Sequence, residues 1–158
     1  MRIKTVALLL ILPGFVWAQQ ASDQVIRVSA EDPEMNSAIT QARASLDTFL
    51  LLARNPPQGA ENFKLKVKFS DGDENEHMWV TPFEQNGHTF TGVLADTPET
   101  IRTVRAWQTV TFDRSDISDW GYERGGKQFG SFTVCVLLKR MSKQEAQQYL
   151  DYGFQCQV

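Results

Sequence analysis

Apolar residues at Met35, Ala38, Ile39, Ala42, Leu46, Phe49, Leu50 and Ala53 recur at spacings of three and four. On a 3.6-residue repeat they form one stripe, which predicts an amphipathic helix packed on a sheet. Its start is well marked. Asp32 is an N-cap, Pro33 suits the first helical position, and Glu34 complements the positive end of the dipole. Asn55-Pro56-Pro57 ends it. The period then changes to two. Phe63, Leu65, Val67 and Phe69 alternate with Lys64, Lys66 and Lys68, predicting a half-buried strand with a lysine face.

Further strands follow at turn signals. Ser70-Asp71-Gly72-Asp73 turns the chain into a strand from His77 to Phe83, with Met78 and Val80 on one face and His77, Trp79, Thr81 and Phe83 on the other. Asn86-Gly87 predicts a hairpin into a strand from His88 to Ala95, with Gly92 at a bulge or close approach. Thr97-Pro98-Glu99 reads as the start of a short helix reaching Arg105. Thr109 to Phe112 reads as a strand, and Asp116 to Tyr122 carries a second aromatic group. After Gly125-Gly126, the run Phe129 to Leu138 reads as the longest apolar strand. Ser142-Lys143-Gln144-Glu145 is a capping box opening a final helix that ends near Gly153. The expected class is α+β: one long helix on a curved, mostly antiparallel sheet or small barrel, with a short C-terminal helix.

The N-terminus has a different character. Arg2 and Lys4 precede an apolar run from Val6 to Val16, and Val16-Trp17-Ala18 fits signal-peptidase cleavage after Ala18. We therefore expect residues 1–18 to be a cleaved leader, residues 19–158 a single domain, and the location periplasmic or secreted. A short strand around Val25 to Val28 is also expected. The leader's apolar run falls short of the ~20 residues that span a bilayer, so no membrane insertion is expected. Past Ala18 the chain has 14 basic and 19 acidic side chains. That balance disfavours nucleic acid and anionic membranes as partners.

Cys135 and Cys156 are the two cysteines. In an oxidising compartment such a pair is expected to bridge, tying the tail to the strand expected to carry Cys135. The closed loop would contribute about 3 kcal/mol. A catalytic thiol is the alternative, without a C-x-x-C motif to support it.

Other chemistry is sparse. The acidic loop Asp71 to Glu76 has oxygen ligands at alternate positions, as for a hard cation such as calcium, but Glu76 and Pro82 stand where a calcium loop needs glycine and glutamate. His77 and His88 flank the Asn86-Gly87 hairpin, so they are candidate cross-strand neighbours, and with Glu76 a candidate metal triad. Consecutive Glu76 and His77 point to opposite faces of a regular strand, which weakens the triad. Neither a G-x-S-x-G elbow, an S-x-x-K motif nor a phosphate-cradling glycine loop is present. No cofactor is implied. The aromatic residues Trp79 and Trp120 lie among polar neighbours, and are either a binding surface or core covered on both faces.

Asp32-Pro33-Glu34-Met35-Asn36, Lys66-Val67-Lys68-Phe69, Glu76-His77-Met78-Trp79-Val80 and Ile117-Ser118-Asp119-Trp120, with Gly130 beyond, resemble the bacterial YegJ-like family, a domain of unknown function (number 2314). The resemblance runs from about Glu31 to Leu138. It implies no catalytic residue, but marks His77, Trp79, Asp119 and Trp120 as binding candidates to test together. Some small domains of broadly similar organisation are immunity proteins that neutralise toxins, an analogy of fold alone. The leading expectation is a non-catalytic periplasmic binding or interaction module whose partner is another envelope or imported protein. Its rivals are a small hydrolase or metal-dependent enzyme using His77 with Glu76 or Asp119, and a structural envelope protein.

Overall fold

The computed structural model describes residues 29–157. The expected leader and the strand expected around Val25 to Val28 lie outside them. Helix α1 (Pro33–Arg54) begins where the sequence places it: Asp32 Oδ1 accepts from the Met35 amide at 2.8 Å. Such a cap contributes about 1 kcal/mol. Ala38, Ala42, Leu46, Phe49 and Leu50 form its buried stripe.

Six antiparallel strands follow: β1 (Ala60–Asp71), β2 (Glu74–Asn86), β3 (Thr89–Leu94), β4 (Thr109–Asp113), β5 (Ile117–Arg124) and β6 (Lys127–Gly130). Their order in the sheet is β4-β3-β2-β1-β5-β6. The sheet stays open, so of the two expected geometries the barrel is excluded and the α+β sheet stands. Leu65, Val67, Met78, Val80, Phe90, Leu94, Trp120 and Tyr122 face α1 and make the core. Among the described residues no helix is long and apolar enough to cross a membrane.

Three readings of the sequence are corrected. The apolar run Phe129 to Leu138 is not one strand. β6 stops at Gly130, and Phe132–Leu138 forms helix α2. Gly130 (φ 75°) and Ser131 (φ 54°) turn the chain there. Thr133 and Val136, three apart, are buried, a helical spacing that a continuously apolar run conceals. The segment Thr97 to Arg105 is not a helix but part of a loop, because carboxylates elsewhere take its amides. Glu76 accepts from the Glu99 amide at 2.9 Å and the Thr100 amide at 3.2 Å, and Asp71 from the Arg102 amide at 2.8 Å. Phe83 lies on the α1 side, 6.0 Å from the Phe49 ring, rather than sharing a face with His77 and Trp79. A register irregularity between Val80 and Phe83 resets the alternation at Thr81-Pro82.

The last helix, α3 (Lys143–Asp151), carries the expected reciprocal Ser142–Glu145 capping box. Cys135, on α2, is bridged to Cys156. Gly153 O accepts from the Gln128 amide at 3.0 Å, so the tail also lies along β6.

Gly92 sits over the β2 irregularity. A Cβ there would lie 2.5 Å from Val80 Cγ1 and 2.7 Å from Pro82 O. Backbone cannot yield as a side-chain tip does. We expect Gly92→Ala to lose about 1–3 kcal/mol in urea unfolding; an unchanged midpoint would show that the β2–β3 approach is loose.

Candidate functional site

Alternation on β1, β2 and β5 builds a polar surface on the sheet face turned away from α1. β1 contributes Lys64, Lys66 and Lys68, and the register places Lys66 opposite both Trp79 and Asp119, and Lys68 opposite His77. The Lys64 and Lys66 ammoniums stand over the Trp79 ring, 5.0 and 5.4 Å from its centroid. Each such contact contributes about 0.5–2 kcal/mol, more as water is excluded. Burial pushes both ammoniums below the usual lysine range, opposed by Asp119 and Asp96 for Lys66 and by Glu123, Asp96 and Asp119 for Lys64.

Asp119 is fully buried. Its Oδ2 accepts from the Thr133 amide and hydroxyl, both at 2.7 Å, and its Oδ1 from the Trp120 amide at 2.8 Å. Burial raises its pKa, and these three donors oppose the rise. Asp119 thus caps α2 from another element, while the helix's own N-cap, Ser131, makes no side-chain cap bond. Lys66 Nζ donates to Thr133 Oγ1 at 3.4 Å, joining the lysine row to this cap.

His77 Nδ1 lies 2.8 Å from Ser118 Oγ, which donates to Lys66 O at 3.2 Å. With the serine proton committed there, the histidine donates through Nδ1–H and Nε2 is left as an acceptor. Burial, then the charges of Lys66, Lys68 and Arg43, lower its pKa to about 4. His77 as a residue is exposed, which limits the desolvation.

Of the four sequence candidates, His77, Trp79 and Asp119 share this face. Trp120 lies on the opposite one. Its ring is 9% exposed, stacks on Phe49 at 4.8 Å, and donates through Nε1–H to Ala42 O at 2.9 Å. Consecutive residues on a strand must diverge in this way. The histidine pair does not form: His77 is opposite Lys68, whereas His88 lies in the β2–β3 turn beside a concavity of about 550 Å³ lined by Arg43 and Arg114. Glu76 is turned to the loop amides. Among the described residues no three His, Cys, Asp or Glu side chains gather as a metal site requires.

Sequence reasoning passed over Trp107, which is 76% exposed and held at φ 64°. Its amide donates to Leu94 O at 2.8 Å, and the next residue, Ala95, donates to Trp79 O at 2.8 Å, so it borders the strands carrying the site. A tryptophan in a polar loop carries no periodic signal. Asp96, which accepts from the Trp79 amide at 2.7 Å, and Ser131 were also passed over.

The His77 shift fixes a pH dependence. Between its folded value of about 4 and the unfolded value near 6.5, the unfolded chain binds more protons. Stability contributed by His77 therefore rises with pH across that window and falls on acidification through it. We expect His77→Gln to flatten the loss of stability between those limits in chemical denaturation. An identical pH profile in the variant would show an unshifted histidine.

Comparison with known proteins matches residues 32–155 to a family described as uncharacterised protein conserved in bacteria (DUF2314). The chain is 31% identical over 146 residues to the uncharacterised protein YegJ of Escherichia coli (strain K12), covering 91% of this chain and 94% of that one. It is 29% identical over 139 residues to the putative ankyrin repeat protein NMB1133/NMB1171 of Neisseria meningitidis serogroup B, covering 80% of this chain and 55% of that one. No solved structure matches it. The chain belongs to the bacterial DUF2314 family, and the resemblance carried by its E-H-x-W and I-S-D-W segments is a family relationship.

Proposed function

We propose that the protein is a non-catalytic, extracytoplasmic interaction module that docks an acidic protein partner on the sheet face away from α1. Trp107 is the observation that carries this reading. A non-glycine residue at positive φ costs about 1–2 kcal/mol, and a ring 76% exposed recovers little of that by burial. The loop holding it is fastened by Glu76, Asp71 and Asp96, so Trp107 is presented on a fixed support. A large, rigid, amphipathic ring presented in this way suits a binding anchor.

The lysine row supplies the sign of the partner. Lys64, Lys66 and Lys68 line the face, and Arg102 and Arg105 are exposed on the Trp107 loop. The chain as a whole is acidic, so the attraction is local, working within a Debye length of about 8 Å at physiological salt. The bridged cysteines support an oxidising compartment. The Neisseria relative's name also supports binding, since ankyrin arrays form extended interaction surfaces. In this setting the partner is another envelope protein or an imported one, the latter as for immunity-like modules.

Crosslinking capture from the cell envelope, with Trp107→Gly and Trp79→Ala alongside the parent, tests the assignment. Glycine relieves the positive φ, so Trp107→Gly should fold at least as stably. We expect an acidic partner whose capture weakens at raised salt and drops by at least about tenfold in Trp107→Gly. Undiminished capture by both folded variants would remove this face as the docking surface.

A further inference from the structure

Ser131 holds a hydroxyl that the fold does not use. The residue is 1% exposed, and its Oγ has no hydrogen-bond partner. Its backbone is left-handed, φ 54° and ψ 41°, a conformation serine seldom adopts. A serine at this position usually caps its helix, but Asp119 already takes the Thr133 amide. The hydroxyl is therefore free of the role that favours serine there, and an unsatisfied buried hydroxyl costs about 1–3 kcal/mol. Glycine would remove both penalties.

The surroundings show what the hydroxyl faces. Ser131 Oγ and Lys64 Cε lie 2.8 and 3.2 Å from the point where a Cβ on Gly121 would stand. Only a glycine at position 121 leaves room for these two groups to sit there. Among the described residues Lys64 has no ion pair within 4 Å, although Glu123, Asp96 and Asp119 act on it at longer range. Asp119 is committed to its three donors. The Ser131 hydroxyl and the Cε of the Lys64 chain thus meet over a glycine, while the Lys64 ammonium itself stands over Trp79.

We propose that Ser131 Oγ and the Lys64 ammonium form a subsite for one carboxylate, reached when the flexible Lys64 chain swings off the hydroxyl. The serine O–H and lysine N–H groups donate to the two carboxylate oxygens, and the ammonium gains the counterion it lacks. The assignment rests on this face being the docking surface, in that the carboxylate belongs to the acidic partner.

Small carboxylates test the subsite without the partner, so a failed capture experiment leaves this test intact. Amide NMR spectra of the full chain would be titrated with N-acetylglycine, representing a chain end, and N-acetylaspartate α-methylamide, representing a side chain. N-acetylglycinamide and inorganic phosphate are the comparisons. We expect saturable shifts at Gly121 and Ser131 with a carboxylate and none with the amide. Whichever carboxylate binds more tightly names the source. Ser131→Gly and Lys64→Met should each weaken binding at least about tenfold, with Ser131→Gly melting no lower than the parent. Absence of saturable shifts, binding unchanged in both variants, or tighter binding of phosphate would each overturn the proposal.

Discussion

Strand β5 holds helices α1 and α2 through a pair of neighbouring residues. Trp120 points to α1, where its ring stacks on Phe49 and its indole N–H reaches Ala42 O. Asp119 points the other way and holds the first turn of α2. A strand residue cannot change face without its neighbour changing too. The register of β5 against β1 therefore fixes core packing and α2 placement together. The buried carboxylate is the costly half of this arrangement. Uncompensated, a charge so placed would be strongly destabilising; three short donors offset the cost.

That constraint also shapes the polar face. With Trp120 in the core, Asp119 and Gly121 face Lys66 and Lys64 across the β1–β5 pairing. The lysines gather over Trp79 because β2 continues the same alternation on the other side of β1. A row that reads in the sequence as a solvated sheet face is, in three dimensions, partly desolvated between an indole and a capped carboxylate. Burial lowers Lys66 even though two carboxylates pull it upward.

Where the sequence could be read, strong local signals carried it. The capped stripe of α1, the alternation of β1 and the Asn86-Gly87 hairpin depend on neighbours within a few residues, and all stand in the structure. The failures had non-local causes. Glu76 and Asp71 lie some 20 to 30 positions from the loop amides they satisfy, so a segment with a good helix start never becomes one. In Phe129 to Leu138 apolar density hid the helical period, and one turn at Gly130-Ser131 divides strand from helix. His77, Trp79 and Asp119 converge on one face as strand alternation allows. Trp120 was legible as either binding surface or core, and the choice stayed open because the face covered by α1 depends on the register of the whole sheet.

Among the described residues, three that are not glycine have positive φ: Asn62, Trp107 and Ser131. Asn62 lies within a register shift of β1, and asparagine tolerates the left-handed region. The other two do not share that excuse. Trp107 precedes β4 at one end of the strand order, and Ser131 follows β6 at the other, with the Lys64–Trp79 surface on the strands between them. Stability alone favours glycine at both positions, since it relieves the backbone and removes either an exposed ring or an unpaired hydroxyl. Strain kept at both borders of one surface, and against the interest of the fold, is the pattern expected where stability is exchanged for recognition.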